Sequence, residues 1–273
     1  MLAIEDFLVR LAVAPAVLVT VDAVRGSVPR EVGAWMAVFA SGSVGTVGGG
    51  HLEFSAQAQA LLRLKGAGGE PVLRYALGPT LGQCCGGEVQ LRFELVRDAD
   101  RAALQERLVG RHDPVALFGG GHVGQALVRV LSPLPLAVTW VDSRDAVFPS
   151  DVSAHVRCEY ADPVQSAVVD LLPDSRVLIM SFSHAEDLEV VAACLNRQRR
   201  QADLPYIGLI GSQTKWASFR QRLLARGFTA AELGHITSPI GVAGIAGKAP
   251  EVIAVAVAAQ LLQTCSARGT HSI

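Results

Sequence analysis

Residues 115–118 form a short apolar run, Gly119-Gly120-Gly121-His122-Val123-Gly124 follows it, and Val123, Leu127, Val130 and Leu131 then recur at helical spacing. Glycines in GxGxxG order between a strand and a helix leave few folds open. They let the chain reverse tightly, bare its amides and pack the helix hard onto the strand. Residues 136–141 supply the next strand, which runs into Asp142, 18 positions after Gly124. That is where a doubly wound nucleotide domain keeps the acid that holds a ribose hydroxyl. Strand and helix patterns go on alternating, with 177–180 before 186–197 and 206–210 before 213–226, a rhythm that implies a parallel sheet. Gly119, Gly121, His122, Gly124 and Asp142 are thus candidates to bind NAD(P) or another nucleotide. The competing reading is a vestigial fold that keeps the tight packing and binds no dinucleotide.

Other signals in this half concern helix ends. Ser183 and Glu186 are spaced as a capping box, Ser212 can cap the next helix and Gly227 can end it. Ser183-His184 lies at a strand's C-terminal end, where such folds place ligands, or His184 simply follows the cap. Lys215, Arg220, Arg222 and Arg226 surround a Trp216, Phe219, Leu223 face and read as the solvated side of a helix. Near the end a glycine loop over 238–248 carries Lys248, which could hold an anion, and Pro250-Glu251 opens a helix that is apolar all round. Such a helix is sandwiched between layers or between subunits, which makes a homodimer an expectation.

The first half has a different rhythm. An amphipathic helix with Ile4, Phe7, Leu8 and Leu11 at helical spacing precedes a valine-rich strand over 16–24, a loop Gly26-Ser27-Val28-Pro29-Arg30 and a second strand over 34–39. A third short strand enters Gly45-Thr46-Val47-Gly48-Gly49-Gly50-His51-Leu52-Glu53, which feeds a helix over 54–65 with Phe54, Ala58, Leu61 and Leu62 on one face. Unsatisfied amides and the positive end of a helix dipole suit a phosphate there, and Arg30 could add a charged fork. Alternatively the glycines only turn the chain and Glu53 only steadies the first helical turn.

Leu81-Gly82-Gln83-Cys84-Cys85-Gly86-Gly87-Glu88 then sets two adjacent thiols in a glycine turn, just before a strand in which Val89, Leu91, Phe93 and Leu95 alternate with polar residues. Turn amides favour anions and lower the pKa of a neighbouring thiol, making it a better soft ligand. Neighbours in extended chain point oppositely, so one cysteine of the two faces the site; Cys85, beside Gly86 and Gly87, is the candidate metal ligand and Cys84 the lesser one. Both could instead be small core residues.

Length and composition bound the rest. The chain is long enough for two domains, and the charged stretch 97–114 is the place for a boundary, giving a mixed α/β domain over 1–110 and a Rossmann-like doubly wound domain over 111–273. A net charge of −1 with dispersed Lys and Arg excludes a nucleic-acid footprint. The longest apolar run, 252–262, is too short for a membrane span, and the first residues lack a signal peptide's basic start. Five cysteines without CxxC spacing fit neither a disulfide framework nor a structural zinc site, which implies a reducing cytoplasm.

Four stretches together make the chain resemble the XdhC family of xanthine dehydrogenase accessory proteins: residues 26–30, 45–53, 81–88, and the tail 206–260 with its Gly-Ser, Pro-Ile-Gly and Gly-Lys-Ala-Pro-Glu segments. The resemblance implies an assembly factor rather than a turnover enzyme. It implies molybdenum cofactor as cargo, a cysteine desulfurase that exchanges an oxo for a sulfido ligand, apo-xanthine dehydrogenase as receiver, and a place in purine catabolism. Related proteins serving other molybdenum hydroxylases carry cysteine at the His51 position, so histidine fits the xanthine dehydrogenase branch. The physical reading agrees, since a phosphate, a polar pterin and a thiolate-tolerant metal need anion-binding loops and one soft ligand. A nicotinamide-dependent oxidoreductase using the second half is the alternative.

Overall fold

The structure, a computed structural model, describes residues 3–77, 86–108, 112–153 and 156–266. The chain divides into two compact units, Met1–Gly110 and Arg111–Ile273.

In the first unit, α1 (Ala3–Leu11) leads into β1 (Ala16–Arg25), β2 (Trp35–Phe39) and β3 (Gly42–Gly45); α2 (Gly50–Leu64) follows, then β4 (Val72–Ala76), β5 (Glu88–Val96) and α3 (Arg101–Leu108). The five strands make an antiparallel sheet in the order β3-β2-β1-β5-β4. Central β1 is apolar over its first four residues, Ala16 to Val19, because both its faces are covered there. Val17, Val19 and Val21 pack with Leu52, Ala56 and Ala60 of α2, while Ala16 and Leu18 pack with Phe7 and Leu11 of α1. The register of β1 against β5 slips between Val21 and Ala23, a bulge that lets Asp22 pair with Arg92 at 2.8 Å.

Two sequence expectations change here. The Phe54, Ala58, Leu61, Leu62 stripe of α2 faces solvent, with Phe54 71% exposed, and the buried face is Leu52, Ala56 and Ala60. Small alanines let the helix lie close on the sheet, so the bulky side chains point away. On β5 the alternation of Val89, Leu91 and Phe93 stops at Leu95, which is exposed, and Val96 turns into the opposite core beside Leu104 of α3.

The second unit contains β6 (Asp113–Phe118), α4 (His122–Leu131), β7 (Leu136–Asp142), β8 (Val156–Tyr160), β9 (Arg176–Ile179), α5 (His184–Gln201), β10 (Tyr206–Leu209), α6 (Gln213–Ala225), α7 (Ala230–Leu233), β11 (Ile236–Thr237) and α8 (Pro250–Ser266). Its six strands are all parallel, in the order β11-β10-β9-β6-β7-β8. Counted from β6 this is the doubly wound order 6-5-4-1-2-3, with its topological switch between β6 and β9. The expected parallel sheet is therefore present, beside an antiparallel one in the first unit.

Helices cover both faces of the parallel sheet. α4 and α8 pack on one through Leu127, Leu131, Val257 and Leu261, and α5 and α6 on the other through Leu188, Leu195, Phe219 and Leu223. Ala254, Val257, Ala258 and Leu261 of α8 are buried inside its own unit, while Val255 is exposed. Buried Arg176 pins its C-terminal turn, donating from Nε to Thr264 Oγ1 at 2.9 Å and from Nη1 to Asp113 Oδ1 at 3.1 Å. Among the described residues no helix is long and apolar enough to cross a membrane.

Candidate functional site

The first unit gathers its motif glycines at one end of its strands, after β1 and β3 and before β5. Gly26, with φ +73°, ends β1, and a Cβ on it would lie 3.3 Å from Gly87 Cα. A Cβ on Gly87 would in turn collide with the carbonyls of Arg25 and Ser27, so the residues that open β5 must be bare for the loop after β1 to pass. The same loop continues to Pro29 and Arg30, and Pro29 Cγ sits 2.5 Å from where a Gly48 Cβ would be. Residues 26–30, 45–53 and 86–87, apart in sequence, thus form one surface. Cys84 and Cys85, the candidate metal ligands, lie outside the described residues; Cys85 is the chain neighbour of Gly86.

Gly48, Gly49 and Gly50 all have positive φ, at +131°, +76° and +61°, which only a glycine run adopts without strain. The turn they make folds Glu53 back onto its own loop. Gly49 N donates to Glu53 Oε2 at 3.1 Å, the Thr46 hydroxyl also donates to Glu53 Oε2, and Gly48 N donates to Thr46 Oγ1 at 3.1 Å. Two of the amides expected to be free are therefore satisfied internally. Those of Gly50 and His51, in the first turn of α2, have no acceptor among the described residues. His51 is exposed, its Nδ1 3.2 Å from Ser55 Oγ, and Arg30 has a loose 3.4 Å contact with exposed Glu31. Among the described residues, nothing lies within 4 Å of where a Cβ on Gly49 or Gly86 would be.

In the second unit the fingerprint glycines divide the work as the spacing implies. A Cβ on Gly119 (φ +123°) would strike the Met180 carbonyl, one on Gly124 would strike the Gly119 carbonyl, and Gly121 faces open space. His122 is exposed in the first turn of α4. Asp142 differs from the expectation. Only 1% exposed, it accepts from Gly120 N at 2.6 Å, from Arg144 N and Arg144 Nε at 2.9 Å each, and from Arg144 Nη2 at 3.0 Å. Burial alone would push this carboxyl up, yet the Arg144 guanidinium and the two amides outweigh it and hold the pKa below the usual carboxylate value.

Sequence reasoning missed the neighbouring cluster. Asp187 is buried at the start of α5 and accepts from Ser181 N and Ser181 Oγ, both at 2.7 Å; Lys215 Nζ reaches the same carboxylate at 2.5 Å and the Ile210 carbonyl at 2.8 Å. Lys215 was expected on a solvated face, but its side chain is only 10% exposed because its stem runs over Gly211 toward the sheet end. The spacing Gly211-Ser212-x-x-Lys215 was the available signal. Ser183 caps α5 by accepting from Glu186 N at 3.2 Å, but the box is not closed as expected: Glu186 instead accepts from Phe182 N and Ser143 Oγ. His184 stands edge-on to Phe219 at 6.3 Å. Cys194 is sealed in the core, and burial pushes its thiol up to about 12, so it is neither ligand nor nucleophile. The described residues contain no cluster of three or more His, Cys, Asp or Glu placed to hold a metal.

Residues 115–261 match the model of the XdhC Rossmann domain, and residues 10–76 that of the XdhC and CoxI family. The chain belongs to the XdhC family. Two Escherichia coli (strain K12) proteins are similar to this XdhC-family chain. One is the uncharacterized protein YqeB, 27% identical over 248 residues that cover 88% of this chain and 41% of YqeB. The other is the molybdenum cofactor insertion chaperone PaoD, 27% identical over 252 residues that cover 83% of this chain and 76% of PaoD. The chain thus spans less than half the length of YqeB. A crystal structure described as a xanthine dehydrogenase from Bacillus halodurans superposes with a TM-score of 0.79 and 22% identity, covering 100% of this chain and 98% of that one. At that identity the likeness establishes the fold alone.

Proposed function

We propose that this XdhC-family chain carries molybdenum cofactor on its first unit and hands it to an apo-enzyme of the xanthine dehydrogenase kind, as an assembly factor rather than a turnover enzyme. The observation that carries the reading is the convergence of residues 26–30, 45–53 and 86–87 at one end of the strands of the antiparallel sheet. Near that surface lie the guanidinium of Arg30, the imidazole of His51, two helix-start amides with no acceptor among the described residues, and Gly86, the chain neighbour of Cys85. A ligand with an anionic phosphate, a polar pterin and a soft metal needs that combination of donors. Similarity to PaoD, named a molybdenum cofactor insertion chaperone, supports the same class of cargo.

In this reading Cys85 is the metal ligand, with Cys84 the lesser candidate, and Gly86 and Gly87 keep the backbone bare beside it. Arg30, Gly50 N and His51 N receive the phosphate or pterin. Gly48 and Gly49 act indirectly: their amides are already bonded within the loop, so they shape the turn that presents His51. Sulfuration of the cargo by a cysteine desulfurase before delivery fits a carrier whose guest must be kept from water, and the receiving enzyme would take the cofactor in its sulfido form.

Titration of the purified Cys85→Ala protein with molybdenum cofactor tests the assignment. A loss of affinity of about tenfold or more is expected. Undiminished binding, in a variant whose thermal unfolding matches the parent, removes the thiol from the site.

A further inference from the structure

The second unit keeps every glycine of a dinucleotide fingerprint, yet the acid that should meet the ribose is turned onto the protein. A carboxylate has about four lone-pair sites, and Asp142 has filled four with Gly120 N, Arg144 N, Arg144 Nε and Arg144 Nη2. The two side-chain bonds come from a guanidinium edge, which offers two parallel donors to a carboxylate, as a vicinal diol of a ribose does. We propose that Arg144 is an internal stand-in for a ribose and that it latches the glycine crevice of the second unit against nucleotides.

The latch extends across the switch point. Arg144 Cζ lies 4.3 Å above the Phe182 ring, and Ser143 Oγ donates to Glu186 Oε1 at 2.7 Å while Glu186 Oε2 accepts from Phe182 N at 3.1 Å. The segment after β7 is thereby tied to the segment after β9, over the crevice that this strand order creates outside β6. Val147 closes the remaining side, its Cγ1 2.6 Å from where a Cβ on Gly120 would lie. Behind the latch the nucleotide-competent parts persist: among the described residues nothing stands over Gly121, and no side chain caps α4.

Removing the guanidinium leaves Asp142 its two amide donors and frees the acceptor positions a ribose diol would take. The opened corner holds two carboxylates, Asp142 and Glu186, and has lost its cation. It therefore selects an unphosphorylated ribose and repels a 2′-phosphate.

Calorimetric titration of the full-length chain, the Arg144→Ala variant and the Phe182→Ala variant with NAD and with NADP tests this. Arg144→Ala is expected to bind NAD about tenfold or more tighter than the parent, because the closed population no longer competes, while its NADP affinity does not rise. Phe182→Ala removes only an exposed ring and is expected to move NAD affinity the same way by less. Equal NAD affinity in all three proteins overturns the latch. No NAD binding by either variant overturns the site behind it, and an equal gain for NADP overturns the ribose assignment. Molybdenum cofactor binding, assigned to the first unit, is titrated separately on the same proteins, so failure here is distinct from failure of the carrier reading.

Discussion

Both units contain a strand that runs through a glycine-rich turn into a helix, and in both a carboxylate from the chain bonds an amide of that turn. In the first unit the carboxylate is Glu53, four residues after Gly49 in the same motif, and it bonds Gly49 N. In the second it is Asp142, from the next strand, and it bonds Gly120 N while Arg144 covers its other positions. The local carboxylate steadies a loop that still presents His51 and, among the described residues, two amides without acceptors. The distant one, with its cation, closes a crevice. Glycine loops that read alike therefore differ in what they leave free, and the difference lies in where the compensating charge comes from.

The strongest way to break this comparison is at the glycines that are tightest. Gly119→Ala combines a positive φ with a backbone collision at Met180, and should cost the second unit on the order of 4 kcal/mol in denaturant unfolding. Gly121→Ala in the same turn meets no atom within 4 Å and has φ −69°, so a change under about 0.5 kcal/mol is expected. If the two alanines cost the same, the division of labour within the fingerprint is wrong. In the first unit Gly48→Ala must displace Pro29 at a φ of +131°, and about 3 kcal/mol is expected from the same measurement.

Smaller effects sharpen the contrast between the two carboxylates. Glu53→Ala removes the acceptor for Gly49 N and the Thr46 hydroxyl, and should lower stability by about 1 kcal/mol without opening a new ligand site. Asp142 has a depressed folded pKa, so its contribution is complete above the unfolded carboxylate value and is lost as pH falls through the folded one. Unfolding of the parent should thus ease progressively below about pH 4. Arg144→Ala should flatten that acid limb, and an unchanged slope would show that the pair does not set it.

Much of the fold could be read in the chain because it rests on local signals. The period-two pattern of β5 and the glycine spacing before α4 are set by backbone geometry, and Ser183 capping α5 by hydrogen bonding within one turn. Strands β8 and β11 could not be read. β8 is an edge strand with exposed Arg157 and Cys158, and β11 has only two residues, so neither carries an apolar pattern. The crossover before β9 is a 3-10 segment, Val164–Asp170, in place of a regular helix. Residues 97–114 hide another change, since Asp113 and Pro114 already belong to β6.

Sequence by itself determined which residues could carry chemistry: two glycine junctions, a thiol pair beside Gly86, an acid at the end of β7. Only the tertiary structure decided which of those groups are spent. Hydrogen-bond capacity is finite, and partners such as Arg144 for Asp142 and Lys215 for Asp187 are chosen by how strands and helices converge in space. The same holds for α2, whose sequence offers two apolar faces. The sheet selects the one built from Leu52, Ala56 and Ala60, because small side chains allow the closer approach.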